Sequence, residues 1–234
     1  SVDVSVDGCR FDTVYSANGA FFVAGNLSIE NSAFLKTYEG EGLQAGGSSA
    51  ILGYVKNCNV TIENTSFTDQ SSARGQFCDV SNCHITVKTS SFIGNSGVDF
   101  TDVSGSTELT IDSALFAKNG HVEFGASTAT INNATFVDDD YLQFWVNNNF
   151  VLTNTIIWET GTETPFVHAG YLEARNTVVY GSGPTDRMYP PTVGEYWYSL
   201  NESKPVDENY YPVRGWLTSE GGHAVIGSGA AQYV

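Results

Sequence analysis

The stretch Asn59-Val-Thr-Ile-Glu-Asn-Thr-Ser-Phe67 recurs in altered form along most of this chain, and no other feature restricts the fold so narrowly. Its frame is apolar, polar, apolar, then polar and small residues, then a large apolar marker. The frame returns at Leu27–Phe34, Ile85–Phe92, Leu109–Phe116, Ala129–Phe136, Phe150–Ile157 and Leu172–Val179, and a first copy spans Val4–Phe11. The markers Phe11, Phe34, Phe67, Phe92, Phe116, Phe136, Ile157 and Val179 are spaced by 23, 33, 25, 24, 20, 21 and 22 residues. Such a period is the signature of a solenoid, in which each repeat buries its apolar face only against its neighbours.

The pairs Val60/Ile62, Ile85/Val87 and Leu109/Ile111 lie two residues apart, which is strand alternation and not helical spacing. A second strand is predicted between markers, at Phe21-Phe-Val23, Val98-Asp-Phe100, Val122-Glu-Phe124, Leu142-Gln-Phe144 and Phe166-Val-His168. One coil per period predicts an all-β, single-stranded, right-handed parallel β-helix of about eight coils. At about 4.8 Å per coil the rod would be roughly 40 Å long.

Three residues before each marker stand Gly8, Asn31, Asn64, Thr89, Ser113, Asn133, Asn154 and Asn176. Asn tolerates the left-handed conformation of a tight corner. Stacked amides also hydrogen-bond along a column. An asparagine ladder is therefore predicted at Asn31, Asn64, Asn133, Asn154 and Asn176.

The repeats occupy residues 1–183, with a Gly-rich insertion near 38–49. Residues 184–234 lose the register and gather Pro, Tyr and Trp, which reads as an end cap over the last coil or a connection to more chain. The chain starts without Met and close to a repeat strand, which reads as a processed or trimmed end.

Asp and Glu total 26 against 10 Lys and Arg, a formal charge of −16. That balance repels phosphate backbones and anionic membranes, so nucleic acid is not an expected partner. No run approaches the roughly 18 apolar residues of a membrane span.

Cys9, Cys58, Cys78 and Cys83 fall in the first part of the chain. Cys58 and Cys83 hold equivalent places in adjacent repeats, so stacking sets them at about strand spacing, near disulfide range. Cys78–Cys83 is a competing pairing, and zinc ligation is the rival to both. A disulfide would place the protein in an oxidising, extracytoplasmic compartment.

The segments Ile29-Glu-Asn-Ser-Ala-Phe34, Ile62-Glu-Asn-Thr-Ser-Phe67 and Ile131-Asn-Asn-Ala-Thr-Phe136 resemble repeats of the pectin-lyase-like right-handed β-helix superfamily. They look most like those of its secreted and cell-surface, adhesin-like members. The resemblance covers about residues 1–183 and implies the fold. It leaves the function open among polysaccharide lyases, hydrolases, tailspikes, adhesins and structural rods. The Gly-His-Gly turn and Arg-x-Lys strand of polygalacturonase-like enzymes are absent.

Among the candidate chemical groups, Asp138-Asp139-Asp140 is the densest carboxylate cluster, and calcium is the cation such oxygens suit. No organic cofactor is expected. Asp7, Glu30 and Glu63 should form an outward acidic row, with Lys88 next in line. Ser5, Ser28, Thr61, Thr86, Thr110 and Thr130 form a neighbouring hydroxyl row suited to exposed strands. His84, His121, His168 and His223 recur at no ligand spacing. Asn26, Asn59 and Asn201 are the sequons suited to glycosylation, since Asn64 and Asn133 belong to the corner ladder. The leading expectation is a non-catalytic extracellular structural or adhesin-like rod that self-associates end to end. The alternative is a calcium-dependent polysaccharide-active enzyme, or a carbohydrate-binding rod.

Overall fold

The computed structural model describes residues 3–13, 15–16, 25–36, 38–39, 55–70, 80–101, 106–158, 166–180, 193–198 and 206–208. Within these the chain forms strands and turns with no helix, and every strand pairing is parallel. The protein is a parallel β-helix.

The first face stacks Val4–Asp7, Leu27–Glu30, Asn59–Glu63, His84–Lys88, Glu108–Asp112 and Thr128–Asn132. It continues through the end of Leu142–Thr153 and the middle of Phe166–Tyr180. Val6, Ile29, Ile62, Val87, Ile111, Ile131, Leu152 and Ala174 are successive register partners. Their side chains are buried, as strand alternation requires.

The second face carries the markers. Phe11, Phe34, Phe67, Phe92, Phe116, Phe136, Ile157 and Val179 are successive partners without a slip. A third face is formed by Val98–Thr101, Val122–Ala126, the start of Leu142–Thr153 and the start of Phe166–Tyr180. It is described for the later turns, so the described solenoid has fewer complete turns than the chain has repeat copies. Val193–Tyr198 pairs with Phe166–Tyr180 and lays one more strand on the last turn. The insertion from residue 40 onward, Cys78, Asn201, His223 and most of the tail lie outside the described residues.

The core is organised by its rings. From Phe11 to Phe136 the marker rings stack at 4.6–4.9 Å with interplanar angles of 2–13°. That spacing is the rise of one coil. A second column, Phe100, Phe124 and Phe144, meets the first edge-on at Phe92, Phe116 and Phe136, with angles of 80–88°. Edge-to-face contacts suit the aromatic quadrupole and add about 0.5–1.5 kcal/mol per pair beyond burial.

Two left-handed corners flank the second face. Gly8, Asn31, Asn64, Thr89, Ser113, Asn133, Asn154 and Asn176 all have φ between 45° and 62°. A second corner, two residues after each of the first six markers, comprises Thr13, Lys36, Asp69, Gly94, Lys118 and Asp138, again with positive φ. Residues with no shared chemistry adopt it because the stacked backbone hydrogen bonds on either side enforce it.

Candidate functional site

The third face positions a mixed imidazole–carboxylate cluster. In Val98–Thr101 and Val122–Ala126 the apolar residues Val98, Phe100, Val122 and Phe124 are buried, which turns Asp99 and Glu123 outward. Register places Glu123 directly over Asp99, with Gln143 next. His121 lies just before its strand, and its backbone carbonyl accepts a 2.7 Å hydrogen bond from Val98 N. His121 Nε2 is 3.0 Å from Glu123 Oε2. One ligand atom each from Asp99, His121 and Glu123 lie within 4.8 Å of one another. All three side chains are half-buried.

The neighbouring turn repeats the arrangement in neutral form. Tyr141 takes the place of His121, and its hydroxyl donates to Gln143 Oε1. The Tyr141 ring stacks on His121 at 4.7 Å and 17°. Among the described residues, this is the one group of His, Cys or carboxylate donors so assembled. Its signal in the sequence was the middle position of Val98-Asp-Phe100 and Val122-Glu-Phe124, where two carboxylates recur one period apart. His168 shares the third face, with its side chain outside those described.

Asp138, Asp139 and Asp140 are not brought together. Asp138 is a corner residue at φ 56°. Asp139 turns into the core and Asp140 turns to solvent. Asp139 ends an interior amide ladder that the sequence reading missed. Gln70 N donates to Asn95 Oδ1 (3.0 Å), Asn95 N to Asn119 Oδ1 (3.0 Å), and Asn119 N to Asp139 Oδ1 (2.8 Å). The side-chain amides also donate to carbonyls of the preceding turn: Gln70 Nε2 to Phe34 O, Asn95 Nδ2 to Phe67 O and Asn119 Nδ2 to Phe92 O. Burial, set against the two hydrogen bonds from Asn119 and reinforced by the adjacent Asp138 and Asp140, pushes the Asp139 carboxyl up to about 8.

The corner asparagines form two runs. Asn64 Nδ2 donates to Asn31 Oδ1 at 2.7 Å, and Asn31 Nδ2 to Asp7 Oδ1 at 2.9 Å. Further along, Asn176 donates to Asn154 at 3.1 Å, Asn154 to Asn133 at 3.2 Å and Asn133 to Asp112 at 3.2 Å. Thr89 and Ser113 interrupt the column. The acidic row is in register, with Asp7, Glu30, Glu63, Lys88 and Asp112 as successive partners. A groove of about 410 Å³ runs along this corner beside Arg10, Asn31, Ser32 and Asn64.

Cys58 and Cys83 are buried thiols with their Sγ atoms 3.0 Å apart. Burial and the neighbouring Cys83 push the Cys58 thiol up to about 12. Asn59 is exposed and Asn26 half-buried, and the two are joined side chain to backbone (Asn59 N to Asn26 Oδ1, 2.9 Å). No protein-family model matches the chain, and no curated protein matches it.

Proposed function

We propose that this chain is a non-catalytic structural or adhesin-like β-helix of the pectin-lyase-like kind, acting outside the cell or at its surface. The observation that carries this reading is the unbroken register of the eight markers. The left-handed corners, ring columns and amide ladders of the described residues all serve the stacking of one turn on the next.

End-to-end association is part of the same proposal. Every described strand pairing is parallel and joins one turn to the next in register, and a strand of a second copy could pair in the same way. Export suits a Cys58–Cys83 disulfide and glycans on Asn26, Asn59 or Asn201.

Sedimentation velocity across a concentration series, with electron microscopy, tests the assembly. A concentration-dependent rise in mass and linear particles are expected. Incubation with acidic polysaccharides, followed by unsaturated-product absorbance and reducing-end assays with and without calcium, tests catalysis. Product release by the purified chain would overturn the non-catalytic reading. A second reading, a carbohydrate-binding rod, is favoured by the amide-lined groove beside Asn31 and Asn64, and a glycan array scores it.

A further inference from the structure

The structure assigns a divalent transition-metal site to Asp99, His121 and Glu123, which takes a zinc-class cation and leaves one position open to solvent. The site is independent of the structural role proposed above.

Geometry supports it first. In a tetrahedral N/O site with bonds of about 2.0–2.2 Å, neighbouring donor atoms are roughly 3.3 Å apart. His121 Nε2 and Glu123 Oε2 are 3.0 Å apart, and the whole triad falls within 4.8 Å. The three donor atoms therefore lie within reach of a single cation.

Electrostatics supports it next. Register sets Asp99 and Glu123 opposite one another on adjacent strands, so a dication placed between them is attracted by both carboxylates. The donors are also held in advance. Val98 and Phe100 anchor Asp99, and Val122 and Phe124 anchor Glu123. The imidazole lies against Tyr141, whose hydroxyl is itself tied to Gln143.

The donor set selects the cation. One imidazole with two carboxylates is a borderline set that suits zinc and its first-row neighbours. Calcium asks for six to eight oxygens, which three side chains do not supply. Three protein ligands leave a fourth position for water or an anionic oxygen.

The test uses the full chain, stripped with chelator and titrated calorimetrically with zinc chloride. One equivalent is expected to bind with micromolar affinity or better. His121→Phe keeps a ring against Tyr141 and removes the nitrogen, and should weaken binding by about tenfold or more. Asp99→Asn with Glu123→Gln should do the same, whereas His84→Ala, in the exposed pair with Glu108, should change nothing. Calcium should bind at least about tenfold more weakly than zinc. Cobalt substitution should give visible bands without thiolate charge transfer, which separates this site from one built on cysteine. Absence of saturable zinc binding, unchanged affinity in His121→Phe, or a thiolate band would each overturn the assignment.

Discussion

Asn119 donates two hydrogen bonds to the same oxygen of Asp139, from its backbone N and its Nδ2, each 2.8 Å long. The other oxygen, Asp139 Oδ2, is buried and has no hydrogen-bond partner among the described residues. In the three preceding ladder turns that place is held by an amide nitrogen donating to a marker carbonyl. A protonated Oδ2 mimics the amide and a charged one does not.

Stability should therefore depend on this carboxyl. It titrates at the ordinary 3.8 when unfolded and at about 8 when folded. Between those values the folded state holds one more proton than the unfolded state, so stability falls as pH rises. The contribution is fully present below about pH 4 and is lost through about pH 8. Asp139→Asn restores the amide and should raise stability near pH 8 by a few kcal/mol at most, on the order set by the shift. Urea midpoints at pH 5 to 8 compare the two proteins, and parallel slopes would sink the idea.

Phe67 is fully buried between Phe34 and Phe92, at 4.9 and 4.8 Å. Phe67→Ala opens a cavity inside the ring column and should cost about 3–5 kcal/mol. A conservative Phe67→Leu should cost visibly less in the same thermal melt, because it keeps most of the volume.

At Asn64 two effects can be separated. Its backbone sits at φ 48° and its amide donates to Asn31. Asn64→Ala loses both and should cost about 2 kcal/mol or somewhat more. Asn64→Gly recovers the backbone freedom and should return roughly 1 kcal/mol of that. Equal melting temperatures for the two variants would argue against a left-handed corner.

The cysteines should separate by accessibility. In reduced, folded protein an alkylating agent should label exposed Cys9 and spare buried Cys58 and Cys83. After oxidation, non-reducing peptide mapping should recover a Cys58–Cys83 peptide, closing a loop worth about 3–4 kcal/mol on the chain-entropy model. Recovery of Cys58 as a free thiol from oxidised protein would count against the bridge.

The repeat made the fold legible because each marker has the same job in every turn. Phe11 to Val179 can be aligned by eye, and alignment fixes the register of two faces. The first corner was legible for a related reason, since asparagine dominates it. The second corner holds Thr, Lys, Asp, Gly, Lys and Asp, so composition gives no hint. The interior ladder was hidden differently. Gln70, Asn95, Asn119 and Asp139 are polar residues next to turns, and polarity there reads as solvation until burial is known. The same habit made Asp138, Asp139 and Asp140 look like one cluster, although at this corner between strands Asp139 is buried and Asp140 exposed. The Asp99, His121 and Glu123 group spans two turns, and no local motif announces it.

Phe116 and Phe136 are register partners 20 residues apart, and Ala117 and Val137 are the next such pair. Residues 117–136 can thus be excised and Phe116 joined to Val137, leaving each remaining turn with a neighbour of the same shape. The molecule is in this sense a ruler graduated in coils. Its reach changes in steps of roughly 4.8 Å, by duplication or loss of one repeat, without a new fold having to be found.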